Sequence, residues 1–176
     1  MKTLIIVTHP NLETSVINKR WVEELQKYPD QYYIHNLHGT YPDGKIDVQR
    51  EQALIEQYEK IVFQFPFYWF SCPGLLKTWF DDILTHGWAY GSQSGYKMGG
   101  KIITLAITAG VDEEEYTVDG RYRYTVNELI RPFKLSFEYI KADYRPFFAY
   151  YGLDYKIAKD GVEESVQPYL DFLRAL

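Results

Sequence analysis

Cys72 is the only cysteine, so no intrachain disulfide can form and the sequence suits a reducing compartment. Basic clusters are also missing: 19 Lys and Arg face 24 Asp and Glu, a formal net charge of −5. Nucleic acid is therefore excluded as the main partner, because neutralising phosphates takes a basic face. No apolar stretch approaches the ~20 residues of a membrane span. The Leu4–Val7 run behind Met1-Lys2-Thr3 is too short for a signal peptide, so a cytoplasmic protein is expected. Neither the Gly-Lys-Ser/Thr of a P-loop nor Gly-x-Gly-x-x-Gly occurs. Repeats, low-complexity tracts and linkers are absent as well, and residues 1–176 are expected to form a single domain.

Aromatic residues are abundant: 17 Tyr, 10 Phe and 4 Trp make up 18% of the chain. A Tyr-rich core and surface would account for them. So would a planar ligand or a subunit interface, since both favour large rigid rings.

Leu4–Val7 is a short unbroken apolar run of the kind found in strands buried on both faces. Ser15 is a plausible N-cap for a helix carrying Ile17, Trp21, Val22 and Leu25 on one face. Further strands are expected at Gln31–Leu37, Ile61–Phe63, Ile102–Ile107 and Arg145–Tyr150, where Pro146 indicates an edge position. Helices are expected from near Asp47, after Pro73, after the Thr125/Glu128 capping box and from Asp160 with Glu163. Pro132 predicts a kink or restart in the fourth of these five helices. Five strands alternating with five helices specify an α/β fold with a parallel sheet covered on both faces.

Ligands of such sheets bind beyond the carboxyl ends of the strands, near the switch in strand order. That rule selects three loops: Thr8–Thr14, Pro66–Cys72 and Thr108–Arg123. The first joins a buried strand to a helix start, where free N–H groups favour an anion, and His9, Ser15 and Asn18 could add donors. Alternatively, Ser15 is only a cap and His9 an ordinary polar residue. The second loop holds four consecutive aromatics, Phe67 to Phe70, between a strand and a helix. A planar ligand explains them through stacking and backbone donors, and packing against the sheet or a second subunit explains them equally.

The array Pro66, Tyr68-Trp69, Pro73, Leu76-Lys77, Trp79, Asp81 and Gly87-Trp88-Ala89-Tyr90 resembles the flavodoxin-like NAD(P)H:quinone oxidoreductases. The resemblance is to the short bacterial members, the general-stress oxidoreductases and the ancillary subunits of glutathione-gated potassium efflux. It covers nearly the whole chain and implies a flavodoxin-like domain with a five-stranded sheet. It implies that His9 and Ser15, Val16, Ile17 and Asn18 bind the phosphate of FMN, FAD being the alternative flavin. It further implies that Phe67, Tyr68, Trp69 and Phe70 cradle the flavin ring, with Thr108, Ala109, Gly110 and Val111 on the other wall. Tyr116 falls where larger members place a tyrosine beside the flavin carbonyls. Their following relay histidine is missing, its place falling near Arg121 or Tyr122. Proton delivery is then expected from Tyr116, Tyr122 or water. NAD(P)H as co-substrate, a quinone-like acceptor, a homodimer and association with a membrane transporter are also implied. A carrier flavodoxin fits less well, because the first loop lacks that group's Thr/Ser-Gly-rich pattern.

Other residues read more plainly. His35 and His38 lack a third nearby ligand, so no metal site is expected. Cys72 is expected to be a small packing residue, with no histidine placed to activate it. His86 either lines the pocket or lies on the surface. Ser71 and Ser94 have no nucleophile context.

Overall fold

The computed structural model describes residues 2–153 and 159–176, with backbone alone at 159 and 160. The chain alternates strands β1 (Thr3–Val7), β2 (Tyr32–Asn36), β3 (Lys60–Pro66), β4 (Ile102–Thr108), β5 (Asp143–Tyr144) and β6 (Phe148–Tyr150) with helices. The helices are α1 (Ile17–Leu25), α2 (Leu37–Thr40), α3 (Val48–Glu56), α4 (Gly74–Ile83), α5 (Val126–Leu129), α6 (Arg131–Tyr139), α7 (Lys159–Glu164) and α8 (Val166–Arg174).

All strand pairs are parallel and run in the order β2-β1-β3-β4-β5, with β6 continuing beside β4. This is the flavodoxin-like order, and its switch point lies between β1 and β3. Every β1 residue is buried, which explains its lack of polar alternation. Leu4 and Ile6 belong to the core under α3, α4 and α6, whereas Ile5 and Val7 belong to the core under α1 and α8. The two faces of one strand thus feed two separate cores.

Several boundaries differ from the sequence expectations. Ser15 does not cap α1: the position before the helix is Val16, and no side chain caps it. The intervening Leu12–Thr14 forms a 3₁₀ turn that delays the start. The last strand divides around Arg145, Pro146 and Phe147, where its register against β4 slips by one residue, from Ile103 beside Tyr144 to Ala106 beside Phe148; the Pro146 carbonyl there accepts from the Thr104 hydroxyl. The restart expected at Pro132 occurs, with α5 ending before Ile130 and α6 carrying Pro132 in its first turn. Thr125 and Glu128 form the expected capping box, and Asp47 accepts from the Arg50 N–H as N-cap of α3. The terminal helix is two pieces broken at Ser165, whose hydroxyl accepts from Trp21 Nε1 at 2.9 Å and donates to the Val162 carbonyl at 2.6 Å. The expected role of the Asp160 side chain lies outside the described residues.

Candidate functional site: a cleft over the carboxyl ends of β1, β3 and β4

The three loops after β1, β3 and β4 enclose a cleft of about 650 Å³, ample for a cofactor-sized ligand. His9, Ser15, Val16, Ile17 and Asn18 form one side, Phe67 to Phe70 the floor, and Thr108, Gly110 and Val111 with Tyr116 and Tyr122 the other side. Ala109 stands apart from its neighbours: it is buried, and its N–H donates to the Tyr150 carbonyl at 2.9 Å, behind the wall. His86 does not line the cleft, its ring lying edge-on to Tyr90 with centroids 5.6 Å apart.

On the first side, the N–H groups of Val16, Ile17 and Asn18 have no backbone acceptor among the described residues. They are the orphan donors of a helix start, where free N–H groups and the positive end of the helix dipole favour an anion. His9 Nδ1 accepts from the Asn11 N–H at 3.1 Å, which assigns the proton of the neutral ring to Nε2. Burial lowers the His9 pKa and outweighs the backbone hydrogen bond with Asn11, which acts in the opposite direction. A neutral donor at Nε2 is the form favoured near neutral pH.

Asn18 is committed inward. Its Nδ2 donates to the Thr108 hydroxyl at 2.9 Å, while its backbone carbonyl and Oδ1 both accept from Gln64 Nε2 at 3.2 Å. Gln64 Oε1 in turn accepts from the Tyr169 hydroxyl at 2.9 Å. This buried chain ties α8, β3, α1 and the end of β4 together beneath the cleft. Sequence reasoning missed Gln64 and Tyr169, because their partners lie 46 and 105 positions away.

The floor is a tight turn. The Ser71 N–H donates to the Tyr68 carbonyl at 2.9 Å, and both central residues have positive φ, 51° at Trp69 and 58° at Phe70. Those are the φ signs of a type I′ turn, which usually takes Asn and Gly. Bulky residues held there signal constraint at a functional site. Neither the Trp69 nor the Phe70 N–H has a partner among the described residues, so the turn presents two free donors. Trp69 is 92% exposed, against 42% for Tyr68 and 41% for Phe70.

On the other side, Tyr116 is buried, its ring 5.9 Å from Phe67 and 5.1 Å from Tyr122 by centroids. Tyr122 meets Phe70 edge-on at 4.9 Å. Tyr151 packs behind Tyr116 at 6.0 Å, and burial pushes its hydroxyl up to about 12. The loop keeps this shape through the Tyr122 N–H bond to the Glu115 carbonyl, 3.1 Å, and through Gly120, where a Cβ would collide with the carbonyls of Glu114 and Glu115.

A second hollow, about 510 Å³ and mainly apolar, lies between α4 and α6 and includes Cys72, Phe80, Phe133 and Tyr139. Burial pushes the Cys72 thiol up, which suits a packing role. His35 Nε2 lies 2.7 Å from Glu51 Oε1 inside the core, and no cluster able to hold a metal occurs among the described residues.

The parallel strand order and the cleft at its switch point together define the flavodoxin-like class. The sequence profile of the flavodoxin-like fold matches residues 1–173, and the chain belongs to that family. It is 49% identical over 175 residues to the uncharacterized NAD(P)H oxidoreductase YrkL of Bacillus subtilis, covering 99% of each chain. It is 41% identical over 135 residues to the glutathione-regulated potassium-efflux system ancillary protein KefG of Cronobacter sakazakii, covering 77% of this chain and 72% of that one. Among solved structures, general stress protein 14 of Treponema denticola in complex with FMN superposes with a TM-score of 0.94 at 44% identity, covering 99% of both chains. An NADPH-quinone reductase from P. pentosaceus superposes at 0.87 with 29% identity and 98% coverage of each.

Proposed function

We propose that the chain is an FMN-dependent oxidoreductase that passes a hydride from NAD(P)H to a quinone-like acceptor. The observation that carries this reading is the strained aromatic turn at Trp69 and Phe70, with two free N–H donors in a cleft that also offers a helix-start anion site. A flat, polar-edged ring bearing a phosphate needs those features together. Two of the proteins similar to this chain support the cofactor and acceptor: one was solved with FMN, the other is named a quinone reductase.

In this reading the N–H groups of Val16, Ile17 and Asn18 hold the phosphate, with His9 Nε2–H and the Ser15 hydroxyl as side-chain donors. The Asn18 side chain acts at one remove, fixing Thr108 and the start of α1. Phe67 to Phe70 support the ring from below, and the Trp69 and Phe70 N–H groups bond its polar edge. Thr108, Gly110 and Val111 close the pyrimidine side, with Ala109 anchoring that segment to the sheet. Bound there, FMN supplies two-electron hydride chemistry, and the protein supplies orientation and protons. The overall reaction consumes NAD(P)H, a quinone and one proton, and yields NAD(P)⁺ and the hydroquinone. Tyr116, Tyr122 or water delivers that proton at the open side of the ring. The chain acts as a cytoplasmic single domain paired in a homodimer, which gives the exposed Leu135 and Tyr139 beside the α4/α6 hollow a role.

The likeness to a potassium-efflux ancillary protein favours one second reading, a flavin-binding regulatory subunit on a membrane transporter. One titration separates the two. In the enzyme reading, purified protein incubated with FMN shows a bound flavin band that NADPH bleaches and a quinone restores. A band that forms but never bleaches favours the regulatory reading, and the absence of any bound flavin overturns both.

A further inference from the structure

Resting on the flavin reading above, we propose that Arg121 is the cation that anchors the phosphate groups of the incoming nicotinamide dinucleotide. The basic residues near the first loop are already paired: Lys19 with Glu13 at 3.0 Å, and Arg20 with Glu24 at 2.9 Å and Glu163 at 2.7 Å. Lys77, beside the other hollow, is held by Asp81. Arg121 and Arg123 have no carboxylate partner among the described residues. A shortage of acids does not explain this, because Asp112, Glu113, Glu114, Glu115 and Asp119 occupy the same loop.

Arg121 is also placed. Its guanidinium carbon lies 5.6 Å from the centroid of the Tyr122 ring, and that ring lines the cleft against Phe70. A cation–π contact at this distance leaves the fork of N–H donors free for bidentate phosphate binding. The loop holds the pair in register through the Tyr122 N–H bond to Glu115 and the close pass at Gly120. Arg123, two residues on, has no such ring contact among the described residues.

The anion site formed by His9 and the start of α1 lies on a different side of the cleft and serves the cofactor phosphate. Arg121 is exposed beside the cleft rather than among its lining residues, so an anionic ligand that extends out past Tyr122 can meet its guanidinium. A dinucleotide stacked over the flavin carries an anionic group in its pyrophosphate, and NADPH carries another in its 2′-phosphate.

The test compares FMN-loaded wild type with Arg121→Gln and, as a control of equal charge change, Arg123→Gln. Calorimetric titration with NADP⁺ and NAD⁺ reads binding directly. Flavin bleaching by N-benzyl-1,4-dihydronicotinamide, a hydride donor with no phosphate, reads the rest of the site. We expect Arg121→Gln to weaken dinucleotide binding at least about tenfold, the worth of a charge-assisted bond, with bleaching by the phosphate-free donor unchanged. Loss with both dinucleotides assigns Arg121 to the pyrophosphate, and loss with NADP⁺ alone assigns it to the 2′-phosphate. Equal binding in variant and wild type, an equal loss in Arg123→Gln, or a parallel loss with the phosphate-free donor overturns the proposal. In each of those cases bleaching of the wild-type flavin leaves the oxidoreductase reading standing. A wild type that binds FMN but is bleached by neither donor overturns both.

Discussion

Trp69 holds a left-handed conformation that costs an ordinary residue about 1–2 kcal/mol, yet it buries almost none of its ring in return. Trp69→Asn should therefore stabilise the ligand-free protein by about 1 kcal/mol, since Asn tolerates this conformation. Urea unfolding reads the change, and a loss of stability would mean that the ring packs where the structure leaves it exposed. Glu51 presents the opposite case, a fully buried carboxylate that accepts from His35 at 2.7 Å, Tyr41 at 2.7 Å and Trp79 at 2.8 Å. Burial pushes its pKa up, but the donations from His35, Trp79 and Tyr41 outweigh that and hold it below the ordinary carboxylate range. Its contribution to stability is thus complete above the unfolded value of about 4.5 and is lost as pH falls through the lower folded value. Glu51→Gln should cost about 3 kcal/mol at neutral pH and flatten the stability profile below pH ~4.5. An unchanged acid limb would refute the assignment. Neither feature was legible in the sequence: Glu51 reads as one acid on an amphipathic helix, and positive φ at two aromatics contradicts local preference.

Elements were more legible than residues because apolar spacing and capping chemistry act locally. Thr125 and Glu128 stand three apart before an apolar face, and the capping box they announce is formed. Thr125→Ala should lower stability by about 1 kcal/mol in thermal or urea unfolding. The expectations that failed are those a neighbouring element decides. Ser15 looked like a cap until the 3₁₀ turn before α1 moved the helix start beyond it. The apparent last strand was cut in two by a one-residue slip against β4 around Pro146, and the last helix was broken at Ser165 beneath Trp21. The loop after β4 shows how much one position can carry. Gly120→Ala would drive the Glu114–Glu115 backbone away and displace Tyr116 and Tyr122 with it. We expect FMN affinity to fall about tenfold or more by fluorescence titration, as a shift near 1 Å suffices for such losses, with the unfolding midpoint little changed. Undisturbed affinity would show that the loop repacks without moving the two rings.

At the scale of the molecule, the sheet order decides where the cleft lies; the parallel alternation of strands and helices was legible in the sequence, whereas the order itself needed the folded sheet. The three loops selected as the carboxyl-end loops of a parallel sheet meet over β1, β3 and β4. The buried relay from Tyr169 through Gln64 to Asn18 and Thr108 was hidden, since only the folded sheet brings those residues together. The divided last strand has a consequence for the protein's behaviour at high concentration. A sheet margin invites strands from other chains, and natural proteins blunt it with prolines and short segments. Here β5 and β6 offer two and three residues with Pro146 between them, whereas β2 at the opposite margin offers an unbroken five. Filling the gap with Pro146→Thr should raise light scattering during refolding while leaving the soluble fraction active. The margin beside β5 and β6 is thus closed to strangers by a missing proton, and any fibre this protein forms should grow from β2.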